Sequence, residues 1–259
     1  MRRHERAHIR QPRCRLPKHP PKSGAPISPA GGVKSAAGAT VDLIVLAGGR
    51  GSRLGGALKP AVEVAGRTLL SRVLDARPVA RHAVVVGPPA ARPAAGERVS
   101  DALIWALEDP PFGGPVAGIA AGLTALEANA DWVLVLACDL PWGADAARLL
   151  VAAASALETV GEQTIGEQTE GLHLTDDTGH AQWLAGIYRA PALRAAVARL
   201  GDGVNGASMR ELLAGLHLMG LLDESEAGAD VDTWEDVKRS TARLAGAPTI
   251  LSDPRSDPQ

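Results

Sequence analysis

The stretch that decides the fold is Val41-Asp-Leu-Ile-Val-Leu46, followed by Ala47-Gly-Gly-Arg-Gly-Ser-Arg-Leu-Gly-Gly56, with Lys59 three residues further on. An apolar run that ends in glycines predicts a buried strand leading into a tight loop. Glycines allow backbone amides to approach a ligand closely, and exposed amides bind anions. In open α/β sheets, ligands bind at the carboxyl ends of the strands, where this loop would lie. We therefore predict an anion-binding loop; the alternative is a flexible turn without a ligand.

Strands and helices alternate after this loop. Helical spacing of apolar residues predicts helices over residues 68–77, 116–128, 144–157, 191–200, 207–213 and 233–244. Short apolar runs predict strands over residues 83–86, 103–107, 132–137, 171–175, 182–188 and 217–222. Strands that are apolar on both faces and alternate with helices indicate a doubly wound, mostly parallel sheet covered on both sides. The pair 171–175 and 182–188 flanks a turn-rich cluster and adds antiparallel strands, so we expect a three-layer α/β fold.

Composition divides the chain into three parts. Residues 1–40 carry nine Lys or Arg against one acid and few large apolar side chains, which predicts a disordered basic tail. Residues 41–246 show no long linker and are expected to form one domain, and residues 247–259 a flexible tail. Within the domain, the polar stretch 161–171 duplicates Gly-Glu-Gln-Thr and is expected to be a flexible surface loop.

Charge and cysteine content narrow the classes of function. Outside the basic tail, 18 basic face 28 acidic residues, a formal charge of −10, which argues against a broad nucleic-acid interface. The sequence lacks an apolar stretch of about 20 residues, so we expect no membrane span. Only Cys14 and Cys138 occur, which disfavours a disulfide framework and favours a reducing cytoplasm. The oligomeric state is open, with a monomer as the simplest expectation.

Two well-known phosphate-binding loops do not fit the glycine-rich stretch. A P-loop requires Gly-Lys-Ser/Thr after four residues, but Gly51 and Gly56 are followed by Ala57 and Leu58. A dinucleotide fingerprint requires its third glycine at position 54, whereas the sequence has Gly55, and no suitable acid follows about 20 residues later. The loop therefore belongs to another type, and a dehydrogenase is the weakest of the interpretations considered; NAD binding would test it.

Two aspartates are candidates for binding a metal ion. Asp139 follows the apolar run 132–137 and so should lie at the same sheet edge as the glycine-rich loop. Magnesium is commonly held by one or two carboxylates together with substrate phosphates. The alternative for Asp139 is an N-cap of the helix 144–157. Asp232, with Glu235 three residues later, could bind the metal or could cap the last helix, and both interpretations stay open.

Five blocks follow one another along the chain: Leu46-Ala-Gly-Gly-Arg-Gly-Ser-Arg-Leu-Gly-Gly56 with Lys59-Pro60, Gly114-Pro-Val-Ala-Gly-Ile119, Ala137-Cys-Asp-Leu-Pro141, Gln182-Trp-Leu-Ala-Gly-Ile-Tyr188 and Asp230-Val-Asp-Thr-Trp-Glu-Asp236. In this order they resemble the motifs of the molybdenum cofactor guanylyltransferases and related nucleotidyltransferases. The resemblance spans roughly residues 42–240 and implies a Rossmann-like nucleotidyltransferase fold. It also implies roles for individual residues, with Arg53, Lys59 and Asp139 as catalytic groups and Mg²⁺ held by Asp139 and Asp232. The implied nucleotide-binding residues are Leu46, Ala47, Gly48, Gly49, Arg53, Lys59, Asp109 and Asp139.

The resemblance also implies a reaction. A phosphate oxygen of the acceptor would attack the α-phosphorus of a nucleoside triphosphate and release pyrophosphate, with GTP and molybdopterin as the leading substrates. Leu58 stands where an Asp is common in the guanylyltransferases, and Pro60 follows Lys59 as in several sugar-phosphate transferases. A cytidylyltransferase or sugar-1-phosphate nucleotidyltransferase is therefore the alternative within the class. From another class, the chain could be a nucleotide-binding protein without catalysis. Asn205 and Ser208 are candidates for holding the acceptor, although loop capping is the simpler role.

Overall fold

Strand β1 (Val41–Leu46) lies near the centre of a mixed sheet in the computed structural model of the chain. The structure describes residues 39–49, 52–96, 103–127, 129–159 and 169–246, which all fall within one compact unit. The predicted basic tail up to residue 38, most of the predicted loop 161–171 and the predicted tail 247–259 lie outside the described residues. The glycine-rich loop is described except for residues 50 and 51.

In the described part of the chain, the main sheet has seven strands. Besides β1, these strands are β4 (Ala83–Val86), β5 (Ile104–Ala106), β6 (Trp132–Ala137), β7 (Gly171–Thr175), β8 (Ala181–Arg189) and β9 (Leu218–Leu222). They follow the order β5-β4-β1-β6-β8-β7-β9, and only β8 runs against the others. The expectation of a mostly parallel sheet with an antiparallel addition is confirmed.

Helices cover both faces of the sheet, which confirms the three-layer α/β architecture. They are α1 (Leu69–Val73), α2 (Pro115–Ala125), α3 (Gly143–Thr159), α4 (Ala190–Leu200), α5 (Met209–Leu213) and α6 (Trp234–Leu244). None of the helices that the structure describes is long and apolar enough to cross a bilayer.

The core follows from the period-two alternation of side chains along buried strands. In β1, Leu43 and Val45 face the cluster that α1 and α3 cover, whereas Ile44 faces the cluster under α2, α4 and α5. All three side chains are buried, and the strand is apolar throughout apart from Asp42. Burial on both faces is the reason why the run was recognisable in the sequence as an interior parallel strand.

Two predicted helices end earlier in the structure than their sequence pattern suggests. The segment predicted as helix 68–77 consists of α1 and then a 3₁₀ turn from Leu74 to Val79 that contains Pro78. Proline has no backbone N–H and disfavours a helical conformation in the residue before it, so the regular helix ends early. The segment predicted as helix 116–128 ends at Ala125, because Leu126 takes an extended conformation and buries its side chain.

A two-stranded hairpin was not predicted. Strands β2 (Glu63–Val64) and β3 (Arg67–Thr68) pair antiparallel across Ala65 and Gly66, which both have positive φ. Two-residue hairpin turns of this type favour glycine, so Ala65-Gly66 was a usable but weak signal. The hairpin packs Val64 into a small separate cluster of five buried residues, Leu54, Val62, Val64, Leu69 and Val231.

Candidate active site

The site lies where the strand order reverses. The chain adds β4 and β5 on one side of β1 and then returns to place β6 on the other side, so β1 and β6 flank a topological switch point. In open α/β sheets, ligands bind in the crevice at the carboxyl ends of such strands. A cavity of about 350 Å³ opens there. Its wall includes Leu46, Gly48, Gly49, Val86, Glu108, Phe112, Gly114, Pro115, Gly118, Ala137, Cys138, Asp139 and Leu184.

The start of the glycine-rich loop is held on both sides by the neighbouring strands. Cys138 N donates to Leu46 O at 3.0 Å, and Ala47 N donates to Val86 O at 2.7 Å. Leu46, Gly48 and Gly49 line the cavity, whereas the Ala47 side chain is buried behind it. The structure therefore brings three of the four predicted loop residues to the cavity surface.

Of the two adjacent acids that follow β5, Glu108 lines the cavity and Asp109 does not. Glu108 lines the cavity and accepts a hydrogen bond from Phe112 N at 3.1 Å through Oε1. Its Oε1 lies 3.9 Å from the point that a Cβ atom on Gly48 would occupy, so the acid and the glycine-rich loop face each other. Asp109 is exposed and does not line the cavity. Sequence reasoning missed Glu108 because two adjacent acids give no sign of which one points inward.

The side chains of Lys59, Asp139 and Asp232 meet beside this cavity. Lys59 Nζ lies 2.6 Å from Asp139 Oδ2 and 2.5 Å from Asp232 Oδ1. Burial by itself would lower the pKa of Lys59, but the two carboxylates outweigh it, and the pKa is raised above its ordinary value. Arg53 Nη1 contacts the other oxygen of Asp232 at 2.9 Å, although 73% of its side chain is exposed. Four residues predicted from separate parts of the chain are thus neighbours.

The third carboxylate of the group, Asp230, was not predicted as a site residue. Val231 N donates to Asp139 O at 3.0 Å, and the Val231 side chain is fully buried in the small cluster beside the β2–β3 hairpin. This anchor holds Asp230 and Asp232 on either side of it near the end of β6. Desolvation and the nearby carboxylates of Asp139 and Asp232 raise the pKa of Asp230, even though much of its side chain is exposed. The alternation Asp230-Val-Asp232 was the available signal, since alternate residues of an extended chain share one side.

The donor set fits a divalent cation that prefers oxygen ligands. One ligand atom from each of Asp139, Asp230 and Asp232 lies within 4.8 Å of the others. In addition, Asp139 Oδ1 is buried and has no hydrogen-bond partner among the described residues. An unpaired buried carboxylate oxygen is costly, and a cation would satisfy it. Carboxylates with substrate phosphates are the usual environment of magnesium.

The two capping alternatives are wrong. The helix after Asp139 begins only at Gly143, and the Asp139 carboxylate pairs with Lys59 instead. The last helix is capped by Thr233 and Asp236, one residue later than Asp232 and Glu235, so the Asp232 carboxylate is available to the site. Ser208, in contrast, forms a capping box with Glu211, as the simpler interpretation predicted.

Asn205 lies near the cavity, and Cys138 lies in its wall. A Cβ atom on Gly113 would stand 2.4 Å from Asn205 Oδ1, so the loop that carries Asn205 packs directly against the Gly113–Gly114 turn. Gly206 N also donates to Gly113 O at 2.8 Å.

Burial and the carboxylate of Asp139 raise the pKa of Cys138, which therefore remains a thiol and is unsuited to act as a nucleophile.

The switch-point cleft, the glycine-rich loop and the carboxylate cluster define an α/β protein of the nucleotide-binding class. The profile of the MobA-like NTP transferase domain matches residues 43–219, and the chain belongs to this family. This family assignment confirms the resemblance drawn from the sequence blocks.

Curated relatives and solved structures agree with this assignment. The chain is 40% identical over 103 residues to a molybdenum cofactor guanylyltransferase of Pseudomonas putida, and 37% identical over 107 residues to that of Rhodopseudomonas palustris (strain BisB5). These matches cover 38% of the chain and 50% and 48% of the two relatives, so the chain spans about half the length of the curated relatives it matches.

Two solved structures share the fold. One is molybdopterin-guanine dinucleotide biosynthesis protein A from Archaeoglobus fulgidus, with a TM-score of 0.58, 20% identity and coverage of 79% of this chain and 99% of that one. The other is 4-diphosphocytidyl-2C-methyl-D-erythritol synthase from Anaerococcus prevotii, with a TM-score of 0.59, 13% identity and coverage of 80% and 96%. The same fold therefore occurs in proteins that are named for different activities.

Proposed function

We propose that the chain is a magnesium-dependent nucleotidyltransferase that transfers GMP from GTP to the phosphate of molybdopterin and releases pyrophosphate. The observation that carries this proposal is the meeting of Lys59, Asp139 and Asp232 next to the glycine-lined cavity at the end of β1. Phosphoryl transfer requires a cationic side chain, carboxylates that can hold a metal ion, and a loop that binds anions. The cysteine content favours the cytoplasm as the compartment of this reaction.

In the proposed reaction, an ionised phosphate oxygen of the acceptor forms a bond to the α-phosphorus, and the bond from that phosphorus to the bridging oxygen of pyrophosphate breaks. Lys59 and Arg53 would stabilise the negative charge that builds on the leaving pyrophosphate. Asp139, with Asp232 and Asp230, would hold Mg²⁺, which supplies charge neutralisation at the phosphates. The chain needs no general base, since the attacking oxygen already carries negative charge.

Glu108 supports guanine as the base. Guanine presents two adjacent donors, N1–H and the N2 amino group, and a carboxylate offers only acceptors that can take both. Cytosine, adenine and uracil each present a single donor group at the corresponding edge, next to at least one acceptor that a carboxylate repels. The Glu108 carboxylate lies beside Gly48 in the wall of the cavity, so a base bound against Gly48 would lie within its reach.

The test is pyrophosphate release with each of the four ribonucleoside triphosphates and Mg²⁺, with molybdopterin, with a panel of sugar phosphates, or with neither. Release with GTP and molybdopterin alone is the expected result. Release with CTP or with a sugar phosphate would keep the mechanism and assign the chain to the alternative substrates, an outcome that Leu58 leaves open. An Asp139→Ala variant should bind the triphosphate and make no product. If the wild type also bound nucleotide without turnover for every pair, the chain would be a non-catalytic nucleotide-binding protein.

A further inference from the structure

Lys59 occupies the place where the acidic side chains of the site converge. Its ammonium contacts Asp139 Oδ2 and Asp232 Oδ1 at once, and only 13% of its side chain is exposed. Arg53 also contacts Asp232, but through the other carboxylate oxygen and from the solvent side. The two basic residues therefore differ: Lys59 lies between the carboxylates, whereas Arg53 lies outside them.

This arrangement conflicts with simultaneous binding of a cation. The carboxylate oxygens that Lys59 contacts belong to two of the three aspartates that could hold a metal ion. A divalent cation and an ammonium group repel each other, and a cation held by Asp139 and Asp232 would lie close to the Lys59 nitrogen, which already bridges one oxygen of each carboxylate. Lys59 has a flexible four-carbon stem, so its ammonium can swing away when another anion attracts it.

We propose that Lys59 competes internally with the divalent cation, so that the cation binds Asp139 and Asp232 tightly only after a triphosphate has drawn the Lys59 ammonium away. In the free protein, Lys59 holds the carboxylates together and neutralises them. When the triphosphate binds, its oxygens take over the lysine and the carboxylates become free for the cation. The inference rests on the proposed function in one respect, namely that a triphosphate is the anion that moves Lys59.

Lys59 could instead hold the carboxylates in position for the cation, and this role predicts the opposite change in cation affinity. If Lys59 only kept the carboxylates in position for the cation, its removal would weaken cation binding to the free protein. If it competes, its removal strengthens that binding. The direction of the change in cation affinity therefore separates the two roles.

The experiment measures Mn²⁺ binding to the full chain without nucleotide, from the electron paramagnetic resonance signal of free Mn²⁺. The variants are Lys59→Met, which keeps most of the side-chain volume, and Lys59→Gln, which keeps a hydrogen-bond donor in case the first variant does not fold. Arg53→Met is the matched control, because it makes the same change in net charge next to the same Asp232. Thermal unfolding followed by circular dichroism verifies that each variant is folded.

We expect both Lys59 variants to bind Mn²⁺ at least about tenfold more tightly than the wild type, a difference of about 1.4 kcal/mol, and Arg53→Met to change the affinity by less than about threefold. Adding Asp139→Asn to Lys59→Met should abolish the gain. Equal or weaker Mn²⁺ binding by folded Lys59 variants would overturn the proposal.

A second measurement tests the release of Lys59 by the anion. Inorganic tripolyphosphate, titrated calorimetrically in the presence of EDTA, should bind the wild type without any cation and bind Lys59→Met about tenfold more weakly. Absence of binding to the wild type would show that the triphosphate cannot move Lys59 unaided and would overturn the order of events. Neither measurement uses a base, an acceptor or turnover, so a wrong substrate assignment would leave both results intact.

Discussion

At the scale of single residues, Glu108 and Asp109 are adjacent acids that differ in burial and in their position relative to the cavity. Glu108 is half-buried and lines the cavity, whereas Asp109 is exposed before Pro110. The backbone of Phe112 donates to Glu108 and so holds the carboxylate next to the cavity. Recognition of the base in the proposed function therefore depends on Glu108.

Replacement of Glu108 by Gln keeps the shape of the side chain but leaves one acceptor oxygen where two donors of guanine need partners. We predict that Glu108→Gln raises KM for GTP about 10- to 100-fold, the size expected for loss of a bidentate contact to a base, with a smaller effect on kcat. Steady-state pyrophosphate release measures both constants. Asp109→Asn is the control and should stay within about twofold of the wild type. Equal losses in the two variants would contradict the role of Glu108.

At the scale of elements, the position of the glycine-rich loop depends on close contact between the ends of β1 and β4. A Cβ atom on Gly87 would lie 2.7 Å from the carbonyl oxygen of Ala47, a backbone atom that cannot move without moving the loop. Gly87 N also donates to Ala106 O at 3.0 Å, which fixes the end of β4 against β5. The loop is therefore placed by backbone packing behind it.

We predict that Gly87→Ala displaces the loop, weakens triphosphate binding about tenfold and costs about 1–3 kcal/mol of stability, as expected for overpacking. Calorimetric titration with the triphosphate and urea unfolding measure these effects. The control is Gly203→Ala, because a Cβ atom there meets no atom within 4 Å. If the two variants behaved alike, close approach at Gly87 would not position the loop.

A second prediction at this scale concerns His173, which is buried in strand β7 with its Nδ1 3.0 Å from Leu174 O. Burial lowers the pKa of His173, with the backbone contact opposing the shift. The unfolded chain, with an ordinary histidine pKa of about 6.5, takes up the proton at higher pH than the folded one. The free energy of unfolding should therefore fall as the pH drops below about 6.5, by up to about 1.4 kcal/mol per pH unit.

Urea unfolding of the wild type and of His173→Gln between about pH 5 and pH 8 tests the predicted loss of stability at low pH. The difference in stability between the two proteins should shrink or reverse toward low pH, because the variant lacks the titrating group. A difference between wild type and His173→Gln that does not change with pH would disprove the assignment.

At the scale of the whole molecule, Arg243 connects three segments that are distant in the sequence. From helix α6, its guanidinium stacks on Trp142 at 4.0 Å, just after Asp139 and before α3. It also pairs with Glu226 at 2.8 Å and donates to the carbonyl of Ser225, in the loop that leads to Asp230 and Asp232. Arg243 thus contacts both the segment that follows Asp139 and the loop that precedes Asp230 and Asp232.

We predict that Arg243→Ala lowers stability by about 1–3 kcal/mol, from the lost stacking and charged hydrogen bonds, and raises the Mg²⁺ concentration needed for half-maximal activity. Arg239→Ala in the same helix removes the exposed partner of Asp236 and should cost less than about 1 kcal/mol. Urea unfolding and the Mg²⁺ dependence of pyrophosphate release are the measurements. An unchanged Mg²⁺ dependence with reduced stability would leave Arg243 with a purely structural role.

The sequence by itself determined the architecture and the family. Apolar runs such as 41–46 and 132–137 are buried on both faces, so local pattern was enough to predict interior strands, and ordered glycine and aspartate blocks pointed to the MobA-like family. It also indicated Lys59, Asp139 and Asp232 as separate candidates. These signals are local because backbone periodicity and turn chemistry depend on residues close in sequence.

Only the tertiary structure decided which side chains face one another. The choice between Glu108 and Asp109, the addition of Asp230 and the position of Lys59 between two carboxylates all depend on contacts across more than one element. The capping alternative for Asp232 was also settled this way, because the helix starts one residue later than its pattern suggested. The direction of a side chain at the end of a loop is set by packing such as the burial of Val231. Such packing joins residues that are distant in the sequence, so local sequence patterns do not predict it.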